Sequence, residues 1–109
     1  MKMLKEAMTI ASGAAVSNSI SAKSYNDHGV LVLCGIGMPA TVDAVTLVVQ
    51  FSFDDATWLT VSGSTITHTA STYFQLNPSE YAAIPGFFRL KLGGNAAAER
   101  VYTIIGRDA

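Results

Sequence analysis

Few residues in this chain are of the types that do chemistry, and their spacing keeps them apart. The two histidines, His28 and His68, are separated by about forty residues, and the one cysteine, Cys34, lies inside an apolar run from Val30 to Ile36. A tetrahedral zinc site needs four nitrogen, sulfur or oxygen ligands. This set is too small to close one, so His28 reads as a turn residue and His68 as a half-exposed strand residue. Cys34 forms no internal disulfide, and its apolar neighbours fit a buried small hydrophobe better than an activated thiolate. Asp54 and Asp55 are adjacent carboxylates between two apolar runs. They could ligate calcium with backbone carbonyls, but the alternating ligand ladder of a calcium loop is missing, and paired Asp residues are common turn formers.

Nucleophilic and phosphate chemistry fare no better. No G-x-S-x-G elbow occurs, and Ser62 sits in the turn-like Ser62-Gly63-Ser64. Gly35-Ile36-Gly37 lacks the following Lys-Ser/Thr of a phosphate loop. The eight acidic residues are scattered, most of them in turn-like stretches, which does not favour a paired-carboxylate hydrolase. Trp58 reads as a filler at the edge of a core. Its alternative role is a stacking platform for a sugar, and Tyr25 is the other aromatic placed for that at a loop. The expectation is therefore a protein that is not an enzyme, with no catalytic, cofactor-binding or metal site and no cofactor.

Composition agrees with an interaction role. The chain has 109 residues, half of them hydrophobic and 14% charged, with a net charge of −1. Its mean hydropathy is +0.34. One domain is expected at this length. The apolar excess predicts burial against copies of itself or a partner, giving a homo-oligomer. Lys and Arg are dispersed, so there is no basic stripe for phosphates, and nucleic acid is not an expected partner. No stretch approaches the roughly 20 apolar residues of a membrane span. The N-terminal Met1-Lys2-Met3-Leu4-Lys5-Glu6 is too interrupted for a secretory signal and reads as mature protein, a flexible arm over residues 1–6 ahead of a single domain over residues 7–109.

The elements that must position these residues read as strands. Turn signals recur at short intervals, at Ser12-Gly13, Asn26 to Gly29, Gly35 to Pro39, Asp54-Asp55, Ser62 to Ser64, Asn77-Pro78, Pro85-Gly86 and Gly93 to Asn95. Such punctuation predicts an all-β antiparallel sandwich. The clearest strand spans residues 45–53, where Val45, Leu47, Val49, Phe51 and Phe53 share one face. Phe88, Leu90 and Leu92 alternate with Arg89 and Lys91 in the same way. Residues 30–33 and 101–105 are apolar runs expected to be covered on both sides. Weaker strands are expected at 7–11, 16–21, 58–61, 65–69 and 73–76. The predicted core is Val30, Val32, Leu33, Val45, Leu47, Val49, Phe51, Phe53, Leu90 and Leu92. One short helical turn is expected after Asn77, with Pro78 at its first position and Glu80 completing a capping box. The loop around Gly93 to Ala98 reads as mobile and, with Asn26 to Gly29, as a contact region.

Two stretches carry a resemblance. The alternating strand from Val45, continued through Phe51-Ser52-Phe53-Asp54-Asp55 to Trp58 and then Leu59-Thr60-Val61, resembles a discoidin or galactose-binding-like jelly roll. The whole plan over residues 8–107 is similar to small tailed-phage and prophage virion accessory proteins of the head-decoration type. It opens with Thr9-Ile10-Ala11-Ser12-Gly13, passes through Gly37-Met38-Pro39 and Leu76-Asn77-Pro78-Ser79-Glu80-Tyr81, and reaches Pro85-Gly86-Phe87-Phe88-Arg89-Leu90. That resemblance implies a jelly-roll-like β-sandwich acting as a bacteriophage structural protein: a capsid decoration or cement protein, or a head-fibre or spike base. Its implied partners are itself, as a homo-oligomer with a trimer favoured over a dimer, and a major capsid or other virion protein. It implies a location in the virion after synthesis in the host cytoplasm. The alternatives are a carbohydrate-binding module for host recognition and a tail or baseplate structural protein.

Overall fold

A computed structural model of the chain describes residues 3–24, 31–61, 66–77, 80–83 and 86–108. The described residues form nine strands: β1 (Met3–Ile10), β2 (Ile20–Ser21), β3 (Leu31–Gly37), β4 (Leu47–Ser52), β5 (Leu59–Thr60), β6 (Tyr73–Gln75), β7 (Ala82–Ala83), β8 (Phe87–Leu92) and β9 (Arg100–Asp108). One sheet has the order β1-β9-β3-β6, with β7 also pairing with β3; the other has the order β2-β8-β4-β5. All of these pairings are antiparallel. With the short β7 set aside, the first strand pairs with the last, the second with the next to last, β3 with β6 and β4 with β5. The chain is thus a long hairpin rolled around two sheets, the winding of a jelly roll.

Period-two alternation explains which faces meet. Leu47, Val49 and Phe51 lie opposite Leu92, Leu90 and Phe88 across β4 and β8. They pack against Leu4, Met8 and Ile10 of β1, Leu31, Leu33 and Ile36 of β3, and Tyr102 and Ile104 of β9 in one core. Ile66, Leu76, Tyr81 and Ala96 join that core from outside the strands. β3 keeps this face inward by a bulge between Leu33 and Gly35, where Cys34 is the additional residue. The bulge lets the strand run through Gly37, beyond the turn expected at Gly35.

Several expectations are corrected. Residues 3–6 are not a free arm: they begin β1, paired from Met3↔Arg107 onward, with Leu4 buried. Their charges misled because Lys5 lies on the outward face while its neighbour Leu4 points in. Phe53 is not in the core but 78% exposed. β4 ends at Ser52, where the Asp54 carboxylate accepts hydrogen bonds from the Ala56 and Thr57 amides and turns the chain away. Leu47, Val49, Leu33, Val32, Leu90 and Leu92 are buried as expected, while Val45 and Phe51 are half-buried against the core. Val30 lies outside the described residues.

The one 3-10 turn among the described residues is Ala22–Ser24. After Asn77 the Glu80 amide donates to the Asn77 carbonyl at 3.0 Å, closing one turn; Pro78 and Ser79 lie outside the described residues. The expected strand over 16–21 shrinks to β2 and an isolated bridge between Val16 and Lys91. Residues 66–69 are not strand, so His68 is not a strand residue.

Candidate functional site

The rolled topology gathers chemistry-bearing residues that are far apart in sequence. Arg100 opens β9 and meets Asp43 from the segment ahead of β4. Its Nε lies 3.1 Å from Oδ2 and its Nη2 3.2 Å from Oδ1. Both side chains are nearly covered, at 13% and 11% exposure. The Ala97 amide donates to the same carboxylate at 3.1 Å. The Arg100 hydrogen bond, followed by the Ala97 amide, holds the Asp43 carboxyl below its ordinary value of 3.8.

Beside this pair, His68 bridges the segment ahead of β4 and strand β9. Its Nδ1 is 2.8 Å from the Val45 carbonyl and its Nε2 is 2.7 Å from the Tyr102 hydroxyl. A carbonyl only accepts, so Nδ1 carries the proton and donates to Val45. Nε2 then accepts from the Tyr102 hydroxyl. Burial pushes the Tyr102 phenol up to about 12, with the Asp43 charge acting in the same direction. The tyrosine therefore stays protonated and keeps donating. Both histidine nitrogens are committed inside the protein, which leaves no lone pair for proton abstraction or metal binding. The rings stack with centroids 5.8 Å apart. This cluster is a polar clamp across the sandwich. Sequence reading missed it because Asp43, His68 and Arg100 are each more than twenty residues from the next.

The remaining candidates resolve one by one. Asp54 Oδ1 accepts from the Ser52 hydroxyl as well as the two loop amides. These bonds, the Thr57 amide first, lower its pKa below the ordinary 3.8. Asp55 follows in a left-handed conformation, φ 58°. The Asp pair thus builds a turn, and no group of three or more potential metal ligands occurs among the described residues. Cys34 is half-buried in the bulge, with its thiol 3.7 Å from the Val32 carbonyl. Trp58 has the Arg89 guanidinium over its ring at 4.2 Å, and Arg89 in turn donates to Gln50, which donates to Thr60. One face of the indole is therefore occupied. His28, Tyr25 and Ser62 lie outside the described residues.

The loop over residues 93–98 is tied down rather than mobile. Gly93 donates to the Thr46 carbonyl, Ala96 to Ala14 and Ala97 to Asp43, while the Ala96 carbonyl accepts from Gly13. Ala96 is buried.

What the surface offers instead is apolar. Met3, Phe53, Leu59, Tyr73 and Val101 are large hydrophobic side chains left exposed. Met3, Val101 and Tyr73 alternate onto the outer face of the β1-β9-β3-β6 sheet. There the Tyr73 ring lies across Gly35 so closely that any Cβ at that position would collide with it. On the other sheet a shallow pocket of about 230 Å³ is lined by Ser21, Lys23, Phe53, Gly86 and Phe87. No helix among the described residues is long and apolar enough to cross a membrane. No family model matches the sequence, and neither the curated proteins nor the solved structures contain a match.

Proposed function

We propose that this chain is a structural protein of a tailed-phage particle, a head decoration or cement protein or a head-fibre or spike base, acting through repeated protein–protein contacts. The observation that carries the reading is the surface. A jelly roll of 109 residues leaves Met3, Phe53, Leu59, Tyr73 and Val101 exposed, while the His68–Tyr102 pair is consumed internally. Large apolar side chains left exposed lend themselves to contacts with other proteins. Repetition on a particle multiplies modest contacts into firm attachment. The virion assignment itself rests on the resemblance over residues 8–107. Jelly rolls serve both capsid and lectin domains, so fold alone does not choose between them.

Rebinding tests the reading. Particles assembled without this protein should take up the purified chain to saturation. Absence of uptake, together with glycan binding by the free protein, would favour the second reading. That alternative is a carbohydrate-binding module, supported by the Phe53 and Phe87 rings beside Ser21 and Lys23 in one pocket. Aromatic faces next to hydrogen-bonding groups are what a sugar site requires.

A further inference from the structure

The outer face of the β2-β8-β4-β5 sheet collects cations and aromatic rings. Register sets Phe87, Arg89 and Lys91 of β8 opposite Ser52, Gln50 and Val48 of β4, and Ser21 of β2 opposite Phe87. Phe88 and Leu90 are buried, so the alternate residues of β8 point outward. None of these outward positions carries a carboxylate.

On this face Arg89 is a positioned cation without a counter-ion. Its guanidinium lies 4.2 Å from the centre of the Trp58 ring, and its Nε donates to Gln50 Oε1 at 2.9 Å. Neither contact uses a hydrogen of the two terminal nitrogens. Among the described residues no carboxylate pairs with it. Asp43 takes Arg100, Asp54 Oδ1 takes the Ala56 and Thr57 amides, and Asp55 reaches Arg89 through its charge alone. Burial outweighs that charge and lowers the Arg89 pKa from its ordinary 12.5. The guanidinium has therefore lost part of its water with no anion in exchange. A planar fork in this state matches a carboxylate, which it holds with two parallel hydrogen bonds.

Two residues along β8 from Arg89, about 7 Å, Phe87 lines the shallow pocket with Phe53, Ser21 and Lys23. Its volume of about 230 Å³ lies below the roughly 300–1,000 Å³ of a drug-sized site, which suits a single ring. Lys23 and Phe53 are both exposed and thus open to a ligand.

We infer that this face binds an acidic glycan, with one sugar ring against Phe53 and Phe87, its polar groups on Ser21 and Lys23, and a carboxylate on the Arg89 fork. This names the ligand class of the carbohydrate reading and rests on that reading. Lys23, Arg89 and Lys91 beside the Asp54-Asp55 turn are too few cations for a nucleic-acid track. Aromatic faces beside a hydroxyl favour a sugar ring over an acidic peptide.

Nuclear magnetic resonance titration of the full chain tests this, with trimers of galacturonic acid and of sialic acid as probes. Each is compared with its methyl ester, which keeps the rings and removes the charge. At least one acid should bind about tenfold or more tighter than its ester, with shifts centred on Phe87 and Arg89. Arg89→Lys keeps the charge but loses the fork and should weaken binding about fivefold. Lys23→Ala and Phe53→Ala change exposed side chains, and each should weaken it about threefold with the unfolding midpoint unchanged. Lys5→Ala, on the other sheet, should leave it unchanged. If an ester binds as tightly as its acid, the acidic ligand is overturned while the carbohydrate reading stands. If neither acid nor ester binds at millimolar concentration, both fall. Equal binding of hexaglutamate or of oligothymidylate, or equal weakening by Lys5→Ala, would overturn the inference in favour of an unselective response to charge.

Discussion

At the scale of single residues, the side chains that looked most chemical turn out to hold the backbone in place. Asp54 satisfies loop amides, and Asp55 occupies a left-handed conformation that costs a non-glycine residue. Asp55→Gly should therefore raise stability by about 0.5 kcal/mol, and Asp55→Val should lower it by about 1–2 kcal/mol, as measured by urea unfolding. The carboxylates also set a pH dependence. Asp43 and Asp54 both titrate below 3.8 in the folded chain. Their contribution is complete above the unfolded carboxylate range and is lost as pH falls through the lowered folded values. Unfolding midpoints should thus drop steeply below about pH 4. Asp43→Asn and Asp54→Asn should each flatten that drop. Tyr102 works at the other end. Its pKa is raised to about 12, so its contribution is complete below the unfolded value near 10 and fades as pH rises toward 12.

At the scale of elements, alternation was legible wherever a strand has one core face and one wet face. β4 and β8 are read directly from Leu47, Val49, Leu90 and Leu92. Replacing Phe88, fully buried, with Ala should cost about 3–5 kcal/mol. Replacing Phe51, which is half-buried, should cost about half as much in the same denaturation assay. Alternation fails where a side chain overrides it. Phe53 continues the β4 pattern but follows Ser52 into the Asp54 turn, and β1 hides its start because Lys5 and Glu6 interrupt the apolar positions, Lys5 outward and Glu6 on the parity of Leu4 and Met8. The outer sheet face makes its own prediction. Gly35→Ala drives a methyl into the far end of the exposed Tyr73 ring, which must swing aside, and should cost about 1 kcal/mol or less. Much of that cost should disappear in a Tyr73→Ala background, a coupling that a double-mutant cycle measures.

At the scale of the whole molecule, an all-β sandwich follows from the turn spacing, but the winding that clamps Asp43, Arg100, His68 and Tyr102 together does not. That cluster depends on which strands become neighbours, and no local pattern records strand order. The same winding leaves β1 at a sheet edge and sets Met3, Tyr73 and Val101 on an outer face, so the surface available for contact is a property of the topology. The central claim, a repeated component of a virus particle, is tested most directly by quantitative mass spectrometry of purified particles against an internal standard for the major capsid protein. A fixed stoichiometry with tens to hundreds of copies per particle is expected. Complete absence of the chain from purified particles would contradict it.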